Sequence, residues 1–244
     1  MTRQSHDQLA KQYLTELLTP LGKVETSFDV SSEARQVDIW FIPASSPPTN
    51  APNLGLLGKM AVSSCLLEVF RNPPSAVEVR NCLLKLYSLH GDLLRKARRK
   101  KQSLKEADLP FLWILSPTVS EQFLKGFEAN LVANQNWDEG VYFLPFSQKT
   151  GIVAINQLPV ILDTLWLRVL GKGTTQQQAI EELVELPKGT PLQDNLLDLL
   201  GNWYTNVKLR ENISNNDREL MDEFITSLFE TKGTMASRRT NRDG

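Results

Sequence analysis

Hydrophobic positions along the chain follow two different periods. Ala10, Leu14, Leu17, Leu18 and Leu21 recur at three- and four-residue steps and predict an amphipathic helix over about residues 6–18. Ser5 and Gln8 form a capping box ahead of it, and Pro20 and Gly22 stop it. "KVETSFDV" alternates polar and apolar residues. "RQVDIWFIP" does so more strongly, up to Pro43, and the pair predicts an antiparallel hairpin. Residues 44–53, "ASSPPTNAPN", read as a Pro-rich loop, and "GLLGKMAVSSCLLEVF" leads into a third strand around Cys65–Phe70. Ser75 and Glu78 make a second capping box. The helix behind them carries Val79, Cys82, Leu83, Leu86, Leu89, Leu93 and Ala97, and Gly91 weakens it without ending it.

"LPFLWIL" is a short continuous apolar run, which predicts a central strand covered on both faces. Thr118 with Glu121 opens another helix, and "GVYFLPF" and "GIVAIN" read as two more strands. From about Leu158 only helical patterns remain. They start at Thr174 with Gln177, at Thr190-Pro191 with Gln193, and at Asn216 with Glu219, the last running to about Phe229. The expected organisation is an α/β (α+β) domain over residues 1–157, an all-helical extension over 158–231, and a disordered polar tail over 232–244.

Length and charge narrow the picture. A chain of 244 residues, 41% hydrophobic, is long enough for a substantial core. A net charge of −1 gives no global pull toward nucleic acid, so any electrostatic site must be local. Cys65 and Cys82 both sit in apolar company and read as buried thiols rather than a disulfide. The N-terminal stretch lacks the apolar segment of a secretory signal, and no apolar run is long enough to span a bilayer, so a cytoplasmic protein is expected.

The chemistry starts from two carboxylates in the wrong company. Asp38 lies inside "QVDIWF" and Glu68 inside "LLEVF", both apolar strands. Desolvating an unpaired carboxylate costs several kcal/mol, so each needs a partner, a proton or a metal. A shared Mg²⁺ (or Mn²⁺) would settle both charges, because such an ion takes one or two carboxylates plus waters and phosphate oxygens. Pairing with arginines, Arg35 and Arg71 being nearest in sequence, would settle them equally well.

The order helix, strand, strand with Asp, strand with Glu, helix, strand resembles the core of the PD-(D/E)XK nuclease superfamily over about residues 5–115. The pair "ARQVDIWF … CLLEVFRNPP" resembles a cyanobacterial group related to recombination-promoting nucleases and transposases, from about His6 to Leu220. The resemblance implies a PD-(D/E)XK-like mixed sheet flanked by helices, a metal held by Asp38 and Glu68, and hydrolysis of DNA phosphodiester bonds. It also implies a supporting group from the first helix or strand, for which His6, Glu16 and Glu25 are candidates. The family pattern asks for a lysine two residues after the glutamate, and Phe70 stands there. Arg71 follows but stays protonated, so it can steady a scissile phosphate and cannot act as a base. Lys85, on the following helix, is the nearest lysine that could stand in, or a solvated residue on that helix's flank.

"RKARRKK" holds six basic residues in seven: Arg95, Lys96, Arg98, Arg99, Lys100 and Lys101. They could grip backbone phosphates of DNA, or simply complement the negative end of the helix dipole. A homodimer would suit cutting two strands. The same fold with a decayed site would instead serve as a DNA-binding or interaction module, and the helical half could dock a partner helix. "LGKGTT" at Leu170–Thr175 lacks the spacing of a phosphate loop, His6 and His90 do not form a zinc pattern, and Trp113, Trp166 and Trp203 read as packing residues.

Overall fold

The computed structural model describes the backbone of residues 2–30, 35–46, 49, 51–131, 137–186 and 191–210, with side chains over 7–27, 37–46, 49, 51–131, 137–186 and 192–202. The first helix, α1 (Thr2–Leu18), gives way to a 3₁₀ turn containing Pro20. It begins before Ser5, so the expected capping box falls inside the helix rather than ahead of it. The strands β1 (Gly22–Val30) and β2 (Arg35–Pro43) form the antiparallel hairpin that their alternation predicts. A short helix that the apolar pattern hid, α2 (Gly55–Met60), precedes β3 (Cys65–Val69). Next come α3 (Ala76–Arg99) and β4 (Phe111–Ser116). The Ser75/Glu78 capping box on α3 is present with both reciprocal hydrogen bonds, and α3 runs through Gly91.

Helix α4 (Glu121–Gly126) is capped by Ser120, not Thr118, which lies two residues too early. The strands β5 (Asn130–Leu131), β6 (Val141–Phe143) and β7 (Thr150–Ala154) follow. Three helices complete the described chain: α5 (Leu165–Arg168), α6 (Thr174–Glu185) and α7 (Pro191–Arg210). Thr174 is the first residue of α6 and makes no side-chain cap. The helix expected at 216–229 and the tail at 232–244 lie outside the described residues.

All seven strands join one mixed sheet in the order β1-β2-β3-β4-β7-β6-β5. β2 and β3 are antiparallel, whereas β3, β4 and β7 are parallel to one another. β4 is central and buried, as its continuous apolar run requires. Strand alternation sorts the core into two layers. Ile39, Phe41, Leu67, Trp113, Leu115 and Val153 face α1, α2 and α5–α7. Trp40, Leu66, Leu112, Ile114 and Ile152 face α3. Side chains from before and after position 157 share the first layer, and α7 packs against α1. On α3 the buried stripe is Val79, Cys82, Leu86 and Leu89, and each such apolar side chain contributes about 1.5–3 kcal/mol when fully buried. Gly151 is where β7 passes closest to its neighbour, since a Cβ there would collide with the Trp113 ring.

Candidate functional site

Two strand ends meet at the carboxylates. The β2–β3 ladder pairs Phe41 with Cys65, Trp40 with Leu66 and Ile39 with Leu67, so Asp38 and Glu68 occupy the next level, directly opposite each other. At that level the sheet is irregular. Val37 packs in the α3-side layer although Ile39 packs on the α1 side, so β2 loses its face alternation at Asp38. Across the hairpin, Ser27 is the position opposite Asp38. It adopts a left-handed φ of 53° and is skipped by the β1–β2 ladder. A non-glycine residue in that region costs on the order of 1–3 kcal/mol and concentrates at functional sites.

The break is filled by side-chain bonds. Asp38 Oδ2 accepts from the Val69 amide at 3.2 Å, in place of a ladder bond. The Asp38 amide in turn donates to the Glu68 carboxylate. Glu68 is almost fully buried, and both of its oxygens accept from Lys85 Nζ, at 2.9 and 3.0 Å. Lys85 is therefore not a solvated flank residue. It lies one turn from both Cys82 and Leu89 in the buried stripe of α3 and keeps 16% of its side chain exposed. Asp38 is more open: its Oδ1 meets Lys11 Nζ of α1 at 3.0 Å, with each side chain about a quarter exposed. The cations set against the two carboxylates thus come one from each helical layer.

The electrostatics stay in conflict. Burial, then repulsion from Asp38, pushes the Glu68 carboxyl from an ordinary 4.5 up to about 7, despite the opposing pull of Lys85. Burial is the largest single influence on the Lys85 ammonium and acts to lower it, but the Glu68 charge, the hydrogen bonds to Glu68 and the nearby Cys82 and Asp38 together reverse it, and the net direction is upward. A cation added near Asp38 would remove the repulsion, so the donor set fits a divalent ion that takes two carboxylates and completes its shell with water. Among the described residues there is no cluster of three or more His, Cys, Asp or Glu side chains able to hold a metal.

The other expected participants fall in different places. Arg71 lies half-buried in the bend just past β3. Phe70 packs into the α3-side layer, filling the volume a lysine at that position would need. Glu16 is exposed on α1, Glu25 pairs with Lys23, and the side chain of His6 lies outside the described residues. The basic cluster Arg95, Lys96, Arg98, Arg99, Lys100 and Lys101 is exposed at the far end of α3. At 1.5 Å per residue it sits roughly 15–24 Å along the helix axis from Lys85. Arg95 is paired with Asp92.

Two cations meet partners that the sequence does not signal. Lys11 is one, because a lysine beside an amphipathic stripe carries no mark of the group it will reach. Lys172 of "LGKGTT" is the other. It donates to Asn72 Oδ1 at 3.0 Å, which brings a segment that is no phosphate loop onto the link just after β3. At that same end of the sheet a cleft of about 240 Å³ opens between Pro73 and Pro74 after β3 and Thr118, Val119, Ser120 and Phe123 after β4.

The remaining candidates are structural. Cys65 and Cys82 are free and buried, and burial pushes the Cys65 thiol up to about 12 and the Cys82 thiol further, so neither is a nucleophile near neutral pH. His90 donates from Nε2 to the Pro110 carbonyl at 2.8 Å. Trp113 and Trp166 are buried, and the side chain of Trp203 lies outside the described residues. Among the described residues, no helix is long and apolar enough to cross a membrane. No protein-family model, curated protein or solved structure matches the chain, so its reading rests on this geometry.

Proposed function

We propose that this protein is a metal-dependent nuclease of the PD-(D/E)XK type that cleaves DNA phosphodiester bonds, with Asp38 and Glu68 as its metal ligands. The observation that carries the reading is the contact of Lys85 with both oxygens of Glu68. It puts an ammonium beside the glutamate, the role Phe70 cannot fill, from the helix that follows the strand. The order α1-β1-β2-α2-β3-α3-β4, with Asp38 and Glu68 at opposite positions on adjacent strands, supports the same assignment.

Held by Asp38 and Glu68, a Mg²⁺ or Mn²⁺ ion would supply Lewis-acid chemistry, polarising a phosphoryl oxygen and lowering the pKa of a bound water. The chain's own residues supply the rest. Asp38 and Glu68 provide the oxygen ligands, held by the Val69 and Asp38 amides. Lys85 keeps Glu68 oriented and places positive charge where negative charge grows on the phosphate. Arg71 steadies the scissile phosphate from the bend after β3. The distant basic cluster of α3 would hold backbone phosphates several base pairs away.

A second reading has its own observation: each carboxylate already has a lysine. On that reading the centre has decayed into two ion pairs, and the protein is a DNA-binding or interaction scaffold. Calorimetric titration with Mn²⁺ separates the two, on wild type, Asp38→Ala and Glu68→Ala, with a plasmid-nicking assay alongside. The nuclease reading expects binding and nicking in wild type and neither in the variants. A folded wild type that binds no metal and nicks nothing leaves the scaffold.

A further inference from the structure

Lys11 and Lys85 are both ammonium groups on carboxylates, yet their settings differ. Lys85 is largely enclosed and bridges both oxygens of Glu68. Lys11 touches one oxygen of Asp38, and both partners keep about a quarter of their side chains in solvent. The other Asp38 oxygen accepts from the Val69 amide, so one oxygen is held by the backbone and the other by the Lys11 ammonium. A water-accessible pair of this kind is weak, and its cation sits on the carboxylate edge that an entering cation must take.

Building on the nuclease reading, we propose that Lys11 is an exchangeable counter-cation, holding Asp38 while the site lacks metal and passing to a DNA phosphate oxygen once a divalent cation takes its place. The lysine stem is long enough to swing while α1 stays fixed, because the helix is anchored by buried Leu9, Ala10, Tyr13 and Leu14 around it. An ammonium displaced from Asp38 remains beside the metal ligands, where a phosphate approaching the metal brings negative charge. Metal and DNA therefore bind cooperatively, and Lys11 carries part of that coupling. Lys85, fixed by two bonds in the α3 layer, does not exchange.

The test uses the full chain and two readouts. Mn²⁺ affinity is measured by calorimetry without DNA. Affinity for a short DNA duplex is measured with and without Ca²⁺. Lys11→Met, which keeps the apolar stem and the helix, should tighten Mn²⁺ binding about two- to fivefold, the worth of the weak pair it removes. In the same variant the gain in duplex affinity on adding Ca²⁺ should shrink at least threefold, and Lys11→Arg should restore it. A Lys11→Met protein with unchanged Mn²⁺ affinity and unchanged coupling, or with weaker Mn²⁺ binding, overturns the exchange and leaves the nuclease reading intact. A wild type that binds no metal overturns both. Lys11→Gln serves as a second variant against a folding artefact, and the same two shifts are expected of it.

Discussion

Among the described residues, two deeply set ion pairs are built in opposite ways. In the C-terminal helices Arg168 is fully buried, and its guanidinium makes four hydrogen bonds. Nε donates to Thr164 Oγ1 at 3.1 Å, Nη2 donates to the Ile161 carbonyl at 3.0 Å, and the fork meets both carboxylate oxygens of Glu182 on α6. The Thr164 hydroxyl donates in turn, its hydrogen shared between the carbonyls of Pro159 and Ile161. Glu68 and Lys85 are also enclosed, but a second carboxylate faces them, the strands around them are irregular, and the Glu68 carboxyl is held well above its usual range. A buried pair that serves architecture satisfies every donor and acceptor. A pair kept for chemistry retains an unresolved charge that an added cation can relieve. That difference, more than burial itself, is what the proposed assignment of the sheet end rests on.

The largest effect should come from the Arg168 joint. Arg168→Met strips four hydrogen bonds from one buried position and leaves the Glu182 carboxylate without its guanidinium, so urea unfolding should register a loss of about 3 kcal/mol or more. Arg168→Lys restores the charge without the fork and should recover less than half. A loss under about 1 kcal/mol would put this joint on a level with a surface pair and dissolve the contrast.

The sheet end should respond differently, through pH. Because folding raises the Glu68 carboxyl from 4.5 to about 7, the native state holds a proton in that window that the unfolded chain has released. In metal-free protein this group's stabilisation is complete below about pH 4.5 and is lost as pH rises through about 7. The slope is on the order of 1 kcal/mol per pH unit. Glu68→Gln should flatten that segment of the stability–pH curve and cost less than about 1 kcal/mol at pH 8, since it removes a charge that burial penalises. A loss of several kcal/mol at pH 8 would class Glu68 with Arg168 as an architectural group.

The smallest stability effect belongs to the basic end of α3. Lys96→Ala with Arg99→Ala should cost at most about 1 kcal/mol, the worth of cations on a helix C-terminus. If the cluster tracks DNA, the slope of log affinity against log salt should fall by about one for each phosphate that these cations no longer neutralise. An unchanged slope would leave these residues as helix-end complements.

Legibility tracked the range of the interaction. The α3 start was readable from Ser75 and Glu78 because a capping box is complete within four residues. The central strand was readable because "LPFLWIL" is apolar at every position, which only cover on both faces explains. By contrast α2 was hidden inside "GLLGKMAVSSCLLEVF", where apolar residues serve a helix and a strand in succession with no cap between them. Ser5 and Thr118 failed as cap positions because the signal fits any helix start within a turn, and packing decides which residue takes it.

The site divides along the same line. Asp38 and Glu68 stood out because a carboxylate amid strand-forming apolar residues is costly wherever the strand ends up. Lys85 had a readable clue as well, since it falls in the stripe of Cys82, Leu86 and Leu89, where an ammonium must find a counter-charge. Lys11 and Ser27 had none. Whether Lys11 reaches Asp38 depends on how α1 crosses the sheet, and the strain at Ser27 exists only because the β1–β2 register sets it opposite Asp38. Composition and periodicity therefore determined that this chain makes a layered α/β sheet with two carboxylates needing compensation. Only the tertiary structure decided that they face each other and that a lysine from each helical layer meets them, because strand register and helix crossing are set by the packing of the whole core and by no local run of residues.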